Sequence, residues 1–116
     1  MKCTLNRNVF FRITKLKSII IPQTVSAFGK SVFEETTNLK TIIYLNKDVP
    51  TSCGANLFQY SNQLITILVK DNYTTSGTFC GKEVTRTSLK CGDNIYCIVD
   101  EISGYVYMYG SGATYL

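Results

Sequence analysis

Between residues 16 and 70 the apolar positions come in short bursts separated by polar turns. The first burst is Leu16, Ile19 and Ile21, the second Leu39, Ile42 and Tyr44, and the third Leu64, Ile67 and Val69. Within each burst the last two apolar residues are two apart, the period of a strand, and the run is too short for a helix. The leading leucines are separated by 23 and then 25 residues, so the pattern is an internal repeat. A second block recurs six residues before each leucine and carries an aromatic: Phe10, Phe33 and Phe58, each preceded by an aliphatic residue (Val9, Val32, Leu57). Four residues before each Phe stands Asn6, Gly29 or Gly54, residue types that accept positive φ at low cost. Leading into these are Leu5, Phe28 and Cys53. Each unit therefore predicts a short strand, a turn, an apolar residue, a bend, and a tight return anchored by Phe. One such unit cannot bury its apolar face alone, so the units must stack. The two extra residues of the second unit predict a bulging loop near 46–50.

These residues resemble the BspA-like type of leucine-rich repeat. The first full unit matches at Leu16, Ile19, Ile21, Pro22, Val25, Phe28, Gly29, Val32, Phe33 and Leu39. The second matches at Leu39, Ile42, Tyr44, Val49, Cys53, Gly54, Leu57 and Phe58. The resemblance covers roughly residues 3–70. One departure is the family's cysteine three residues after the Phe, here Ile13, Thr36 and Ser61. The thiol ladder is lost, and these three are expected to point inward as modest fillers. The resemblance implies a mainly β fold: a short leucine-rich-repeat solenoid of about three repeats, followed by a β-hairpin segment. The expected division is repeats over 3–70, a connecting loop over 71–90 and the hairpin over 91–116. Proteins of this type are often surface proteins, and the chain reads as a short or fragmentary member.

After Lys70 the pattern changes. Residues 71–81 are rich in turn formers and read as a loop. From Asn94, Ile95, Cys97 and Val99 alternate with Tyr96 and Ile98, and a Gly-containing connection at 100–104 leads to Tyr105, Val106, Tyr107, Met108 and Tyr109. Two β-rich runs joined this way predict a hairpin.

Composition narrows the chemistry. The 116 residues include no His, which removes Ser-His-Asp and Cys-His catalysis and His-ligated zinc. Twelve Lys and Arg against eight Asp and Glu give a net charge of +4, but the basic residues are spread along the chain, which argues against nucleic acid as a partner. The longest apolar runs, 19–21 and 64–69, are far too short to span a bilayer, so membrane insertion is not expected. Residues 1–8 contain no apolar stretch of secretory type, which makes the cytoplasm the default location and the cell surface the one the resemblance suggests. The five cysteines, an odd number without a signal, argue for reduced thiols, with Cys53 as a small core residue. Cys80 and Cys91 are spaced to close a disulfide if the chain is extracellular. Cys80, Cys91 and Cys97 lie 11 and 6 residues apart, unlike a CxxC knuckle, and neither a metal nor another cofactor is expected. Asn72-Tyr73-Thr74 is an N-glycosylation triplet that matters only in a secreted chain. The pairs Glu34-Glu35 and Asp100-Glu101 read as solvated turns, and no constellation supports an enzyme.

The remaining candidate is a surface. If Leu16, Ile19 and Ile21 point inward, Ser18 and Ile20 face out, as do Thr41 and Ile43, then Thr66 and Leu68. Two columns result, Ser18–Thr41–Thr66 and Ile20–Ile43–Leu68, which predict a protein-binding face. The competing expectation is that the tail covers the column. A different reading is an adhesive module whose Tyr105, Tyr107 and Tyr109 contact glycans. Self-association is a further expectation, because Leu5 to Phe10 is already the second half of a repeat and leaves an uncapped end.

Overall fold

The structure, a computed structural model, describes residues 3–62, 65–70, 72–74, 77–86, 88–92, 95–100 and 105–110; in its last three strands only Cys97, Val106 and Met108 are described beyond the backbone. The described residues contain no helix. They form ten strands: β1 (Cys3–Leu5), β2 (Ser18–Ile21), β3 (Val25–Phe28), β4 (Thr41–Tyr44), β5 (Ser52–Cys53), β6 (Thr66–Val69), β7 (Thr85–Arg86), β8 (Ser88–Gly92), β9 (Ile95–Asp100) and β10 (Tyr105–Gly110). This is the mainly β, short leucine-rich-repeat solenoid that the resemblance implies.

The repeat is visible as register. Each sequence burst forms one strand of a parallel sheet ordered β2-β4-β6-β7, with Ile19 beside Ile42 beside Ile67, and Ile21 beside Tyr44 beside Val69. The residues leading into each bend form a second parallel sheet ordered β1-β3-β5, where Leu5, Phe28 and Cys53 stand side by side. The Phe-bearing returns form a third side. Their rings stack, Phe10 on Phe33 at 5.8 Å and Phe33 on Phe58 at 5.5 Å, with planes 4° and 8° apart. Backbone hydrogen bonds join the same returns from unit to unit.

Between the three sides lies the core, built from the inward columns: Ile21, Phe28, Val32, Phe33, Leu39, Ile42, Tyr44, Ile67 and Val69 are all buried. Two of the residues at the family's cysteine position contribute to it. Thr36 is fully buried and Ser61 nearly so, and each hydroxyl donates to the carbonyl three residues back, Phe33 and Phe58, at 2.6 Å. The polar atom is therefore satisfied where a thiol would have been a passive filler. Ile13, at the same position in the first unit, is instead exposed.

The bends differ from expectation in an instructive way. Positive φ falls at Asn8, Ser31 and Asn56 and again at Arg12, Glu35 and Tyr60, all close to 60°, and not at Asn6, Gly29 or Gly54. The glycines serve close approach. A Cβ on Gly54 would lie 2.3 Å from the Gly29 carbonyl carbon and from the Lys30 nitrogen, and one on Gly29 would lie 2.5 Å from the Arg7 nitrogen. Only a missing side chain lets one repeat's backbone sit this near the next.

Beyond β6 the chain turns back over the far end of the solenoid. Phe79 is fully buried, 5.1 Å from the Phe28 ring and 4.9 Å from Tyr44. Cys80 is disulfide-bonded to Cys53, with a Cα–Cα distance of 5.7 Å. β7 then adds to the repeat sheet beside β6, with Leu68 opposite Thr85 and Val69 opposite Arg86. The predicted hairpin is present as β9 and β10, with Tyr105 opposite Asp100, and β8 joins β9 antiparallel to make a three-stranded sheet. Strands β7 and β8 fall in and around the stretch expected as a connecting loop. Leu64, residues 101–104, where the sequence leads one to expect a turn, and residues 111–116 lie outside the described residues.

The cysteine expectation is corrected. Cys53 is an exposed half-cystine, not a core thiol: it is the last residue of β5 and is bonded to Cys80 of the segment that follows β6. Cys80 pairs with it and not with Cys91. Cys97 is buried and also disulfide-bonded, while Cys3 is free and exposed.

Candidate protein-binding face

Both outward columns exist in the predicted order. Ser18, Thr41 and Thr66 are neighbours across β2, β4 and β6, and so are Ile20, Ile43 and Leu68. Parallel pairing without a bulge is what fixes this, since one residue of slip would turn every inward aliphatic outward. The ladder fixes which residues stand beside one another from repeat to repeat.

Exposure along the columns is uneven. Ile20 is 40% exposed, whereas Ile43 is 3% and Leu68 7%. Ser18 and Thr66 are intermediate and Thr41 is buried at 1%. Ile43, Leu68 and Leu45 form an apolar cluster of their own, separate from the main core. The expectation of a continuous exposed aliphatic column thus holds only at Ile20, since Ile43 and Leu68 are already covered within the chain.

At the ends of these strands the surface becomes polar and basic. A pocket of about 330 Å³ opens beside Leu45, with Lys47, Lys70, Asn46 and Asn72 in its wall. Burial pulls the Lys70 ammonium below its ordinary value. Asn46 also braces the loop expected near 46–50: its amide donates to the Val25 carbonyl at 3.3 Å, and its carbonyl accepts from the Asp48 N–H at 3.0 Å.

Two tyrosines lock the turns next to this face. Tyr44 donates to the Val25 carbonyl at 3.1 Å and Tyr73 to the Thr78 carbonyl at 2.7 Å, and the rings meet edge to face at 6.2 Å. Burial pushes the Tyr44 hydroxyl up to about 12, with the neighbouring Tyr73 adding to the rise. Burial likewise raises Tyr73 to about 12, opposed by Arg86. Arg86 lies 5.9 Å from the Tyr73 ring centroid and donates to the carbonyls of Tyr73 (3.3 Å) and Thr74 (2.7 Å). Sequence reasoning missed this clamp, because a lone Arg in a polar stretch has no pattern to give it away. Glu34 and Glu35 are structural: Glu34 accepts from the Ser31 hydroxyl at 2.8 Å, and Glu35 pairs with Arg12 of the preceding unit. The side chains of Tyr105, Tyr107 and Tyr109 lie outside the described residues, as does that of Cys91. Among the described residues no cluster of metal-binding side chains occurs, and no helix is long and apolar enough to cross a membrane.

Parallel strands in strict register, a stacked phenylalanine spine and a row of outward side chains on the long sheet define a leucine-rich-repeat solenoid. Residues 3–109 match the BspA type leucine rich repeat region in six copies, and the chain belongs to that family. The match runs through 71–90 and into the terminal strands, beyond the span over which the resemblance is apparent by eye. No curated protein and no solved structure matches the chain. Families of this repeat are typically non-enzymatic and point to protein–protein interaction.

Proposed function

We propose that this chain is a non-enzymatic binding module that engages another protein through the outer face of the β2-β4-β6 sheet, where Ile20, Ser18 and Thr66 are open to contact and Thr41, Ile43 and Leu68 form the buried part of the same two columns beneath it. One observation carries the reading: the column Ile20–Ile43–Leu68 is in register, its inner two members are covered, and Ile20 is left open at the edge. An aliphatic strip that is already shielded within the chain at Ile43 and Leu68 continues into solvent at Ile20. A partner extending that cover would gain roughly 25 cal/mol for each Å² of apolar surface removed from water. Ser18 and Thr66, both partly open, flank the strip.

A photo-crosslinking residue at position 20, compared with the same residue at the remote and highly exposed Tyr60, tests the reading. A protein captured at 20 and not at 60, and lost when Ser18 and Thr66 are enlarged, is the expected result. Equal capture at both positions would sink it.

A further inference from the structure

The turn that follows β6 carries a sequence feature that the binding face leaves unused. Asn72-Tyr73-Thr74 is the only Asn-X-Ser/Thr triplet in the 116 residues. An asparagine in this setting accepts a glycan when the chain passes through a secretory compartment. Two observations bear on that condition. Cys53 and Cys80 are joined, and Cys97 is also disulfide-bonded, a state that persists in secreted chains and is rare in the cytosol. The acceptor is also presented outward: Asn72 and Thr74 are exposed, while Tyr73 between them is buried.

The fold fixes where this asparagine stands. The Tyr73 N–H donates to the Lys70 carbonyl at 3.1 Å and its hydroxyl to the Thr78 carbonyl at 2.7 Å. The Thr74 N–H and hydroxyl both donate to the Lys47 carbonyl, at 2.9 and 3.3 Å, and Arg86 donates to the carbonyls of Tyr73 and Thr74. The Asn72 side chain takes no part in this bracing. Among the described residues it makes no hydrogen bond, whereas the Asn38 amide donates to the Thr14 carbonyl and that of Asn46 to Val25. Asn72 instead borders the cavity of about 330 Å³ beside Leu45, and Gln23, Thr24 and Lys47 stand on the same rim. These three side chains are exposed and hydrogen-bond to no described residue either. A cavity of this size, edged by an amide, a hydroxyl and an ammonium, suits the hydroxyls of one sugar ring.

We propose that Asn72 carries an N-linked oligosaccharide whose first sugar, an N-acetylhexosamine, lies over this cavity. In the transfer the Asn72 amide nitrogen bonds to the anomeric carbon of an oligosaccharide held on a lipid pyrophosphate. The bond from that carbon to the pyrophosphate oxygen breaks, the lipid pyrophosphate leaves, and the nitrogen gives up one proton. Nothing is oxidised or reduced. The attached ring then meets Gln23, Thr24 and Lys47 across the rim they share with Asn72.

The test is mass spectrometry of the full chain taken from the cells that make it. After reduction, trypsin cuts at Lys70 and Lys82, so residues 71–82 form the peptide that holds Asn72. The expected result is a glycopeptide from which an amidase specific for N-linked glycans releases the sugar, tagging position 72 with heavy oxygen from the water. Asn72→Gln and Thr74→Ala should abolish the modification, and Thr74→Ser should keep it. Trimming the glycan to its first sugar tests the seat separately. The trimmed chain should melt at least about 2 °C above Asn72→Gln, and Gln23→Ala with Lys47→Ala should remove that gain. An unmodified peptide, or a sugar that the amidase leaves in place, overturns the proposal. Equal melting of the trimmed chain and Asn72→Gln overturns the placement of the sugar over the cavity.

Discussion

Units one and two carry matching residues at matching positions, yet Phe10 and Leu16 are only partly buried while Phe33 and Leu39 are fully buried. The residue types do not explain the difference; the number of neighbours does. Unit two is sandwiched, with hydrogen-bonded returns on both sides, while unit one has a partner on one side only. At the opposite end the chain solves the same problem by folding Phe79 into the exposed cross-section and fastening it through Cys53–Cys80. In a solenoid the stability of a unit thus belongs largely to its interfaces, as a nearest-neighbour picture requires.

The sharpest way to break the comparison is to place charge on the outer column. Ile43→Asp puts an unpaired carboxylate into a covered cluster and is expected to cost about 4 kcal/mol or more, or to unfold the chain outright. Ile20→Asp, on the same column at the open edge, is expected to cost less than about 1 kcal/mol. Urea denaturation of both reads the difference, and equal losses would mean that Ile20 is covered too.

Next in size is the phenylalanine spine. Phe33→Ala is expected to cost about 3–5 kcal/mol, because the ring is removed from between two others. Phe10→Ala, stripped of one stacking partner only, is expected to cost about half as much or less. Denaturant midpoints that fall equally would remove the distinction between inner and terminal units.

Reducing the Cys53–Cys80 bond is expected to cost about 2–4 kcal/mol, the range for a cross-link that closes a loop of this order. Hydrogen exchange should show the loss first at Phe79 and Lys82, whose amides bond to each other's carbonyls, while β2 keeps its protection. Simultaneous loosening at both ends would show that the cap and the open end are not independent.

The smallest effect near neutral pH concerns the two tyrosines. Their folded values are pushed up to about 12, above the ordinary value of 10, so the neutral form is the one the fold prefers. The stability this contributes is complete below pH 10 and is lost as pH rises from 10 towards 12. Absorbance at the tyrosinate band should titrate together with unfolding. Tyr73→Phe should make the alkaline transition shallower, while costing about 1 kcal/mol at neutral pH for the lost bond to Thr78.

Much of the fold was legible because inward positions recur at a fixed interval and nothing competes with that periodicity. Strand identity, the Phe spine and the order of both outward columns all follow from where Leu16 and Leu39 stand. The bends were half legible. Gly29 and Gly54 stood out, but pairwise closeness between units, not dihedral need, is what demands them, and closeness to another segment leaves no mark in a local sequence window. The cover over Ile43 and Leu68 was an open alternative in the sequence, since an outward aliphatic residue reads the same whether or not something lies on it. The cap was least legible. Cys53 sits in an inward-looking motif position, and its partner comes 27 residues later from a stretch with no repeat to follow.

The hydroxyls of Thr36 and Ser61 have a consequence for how this molecule is made. A thiol at either position would add another reactive sulfur to a chain that must join Cys53 to Cys80. With alcohols at both positions, the first bond an oxidant forms has fewer wrong choices to visit.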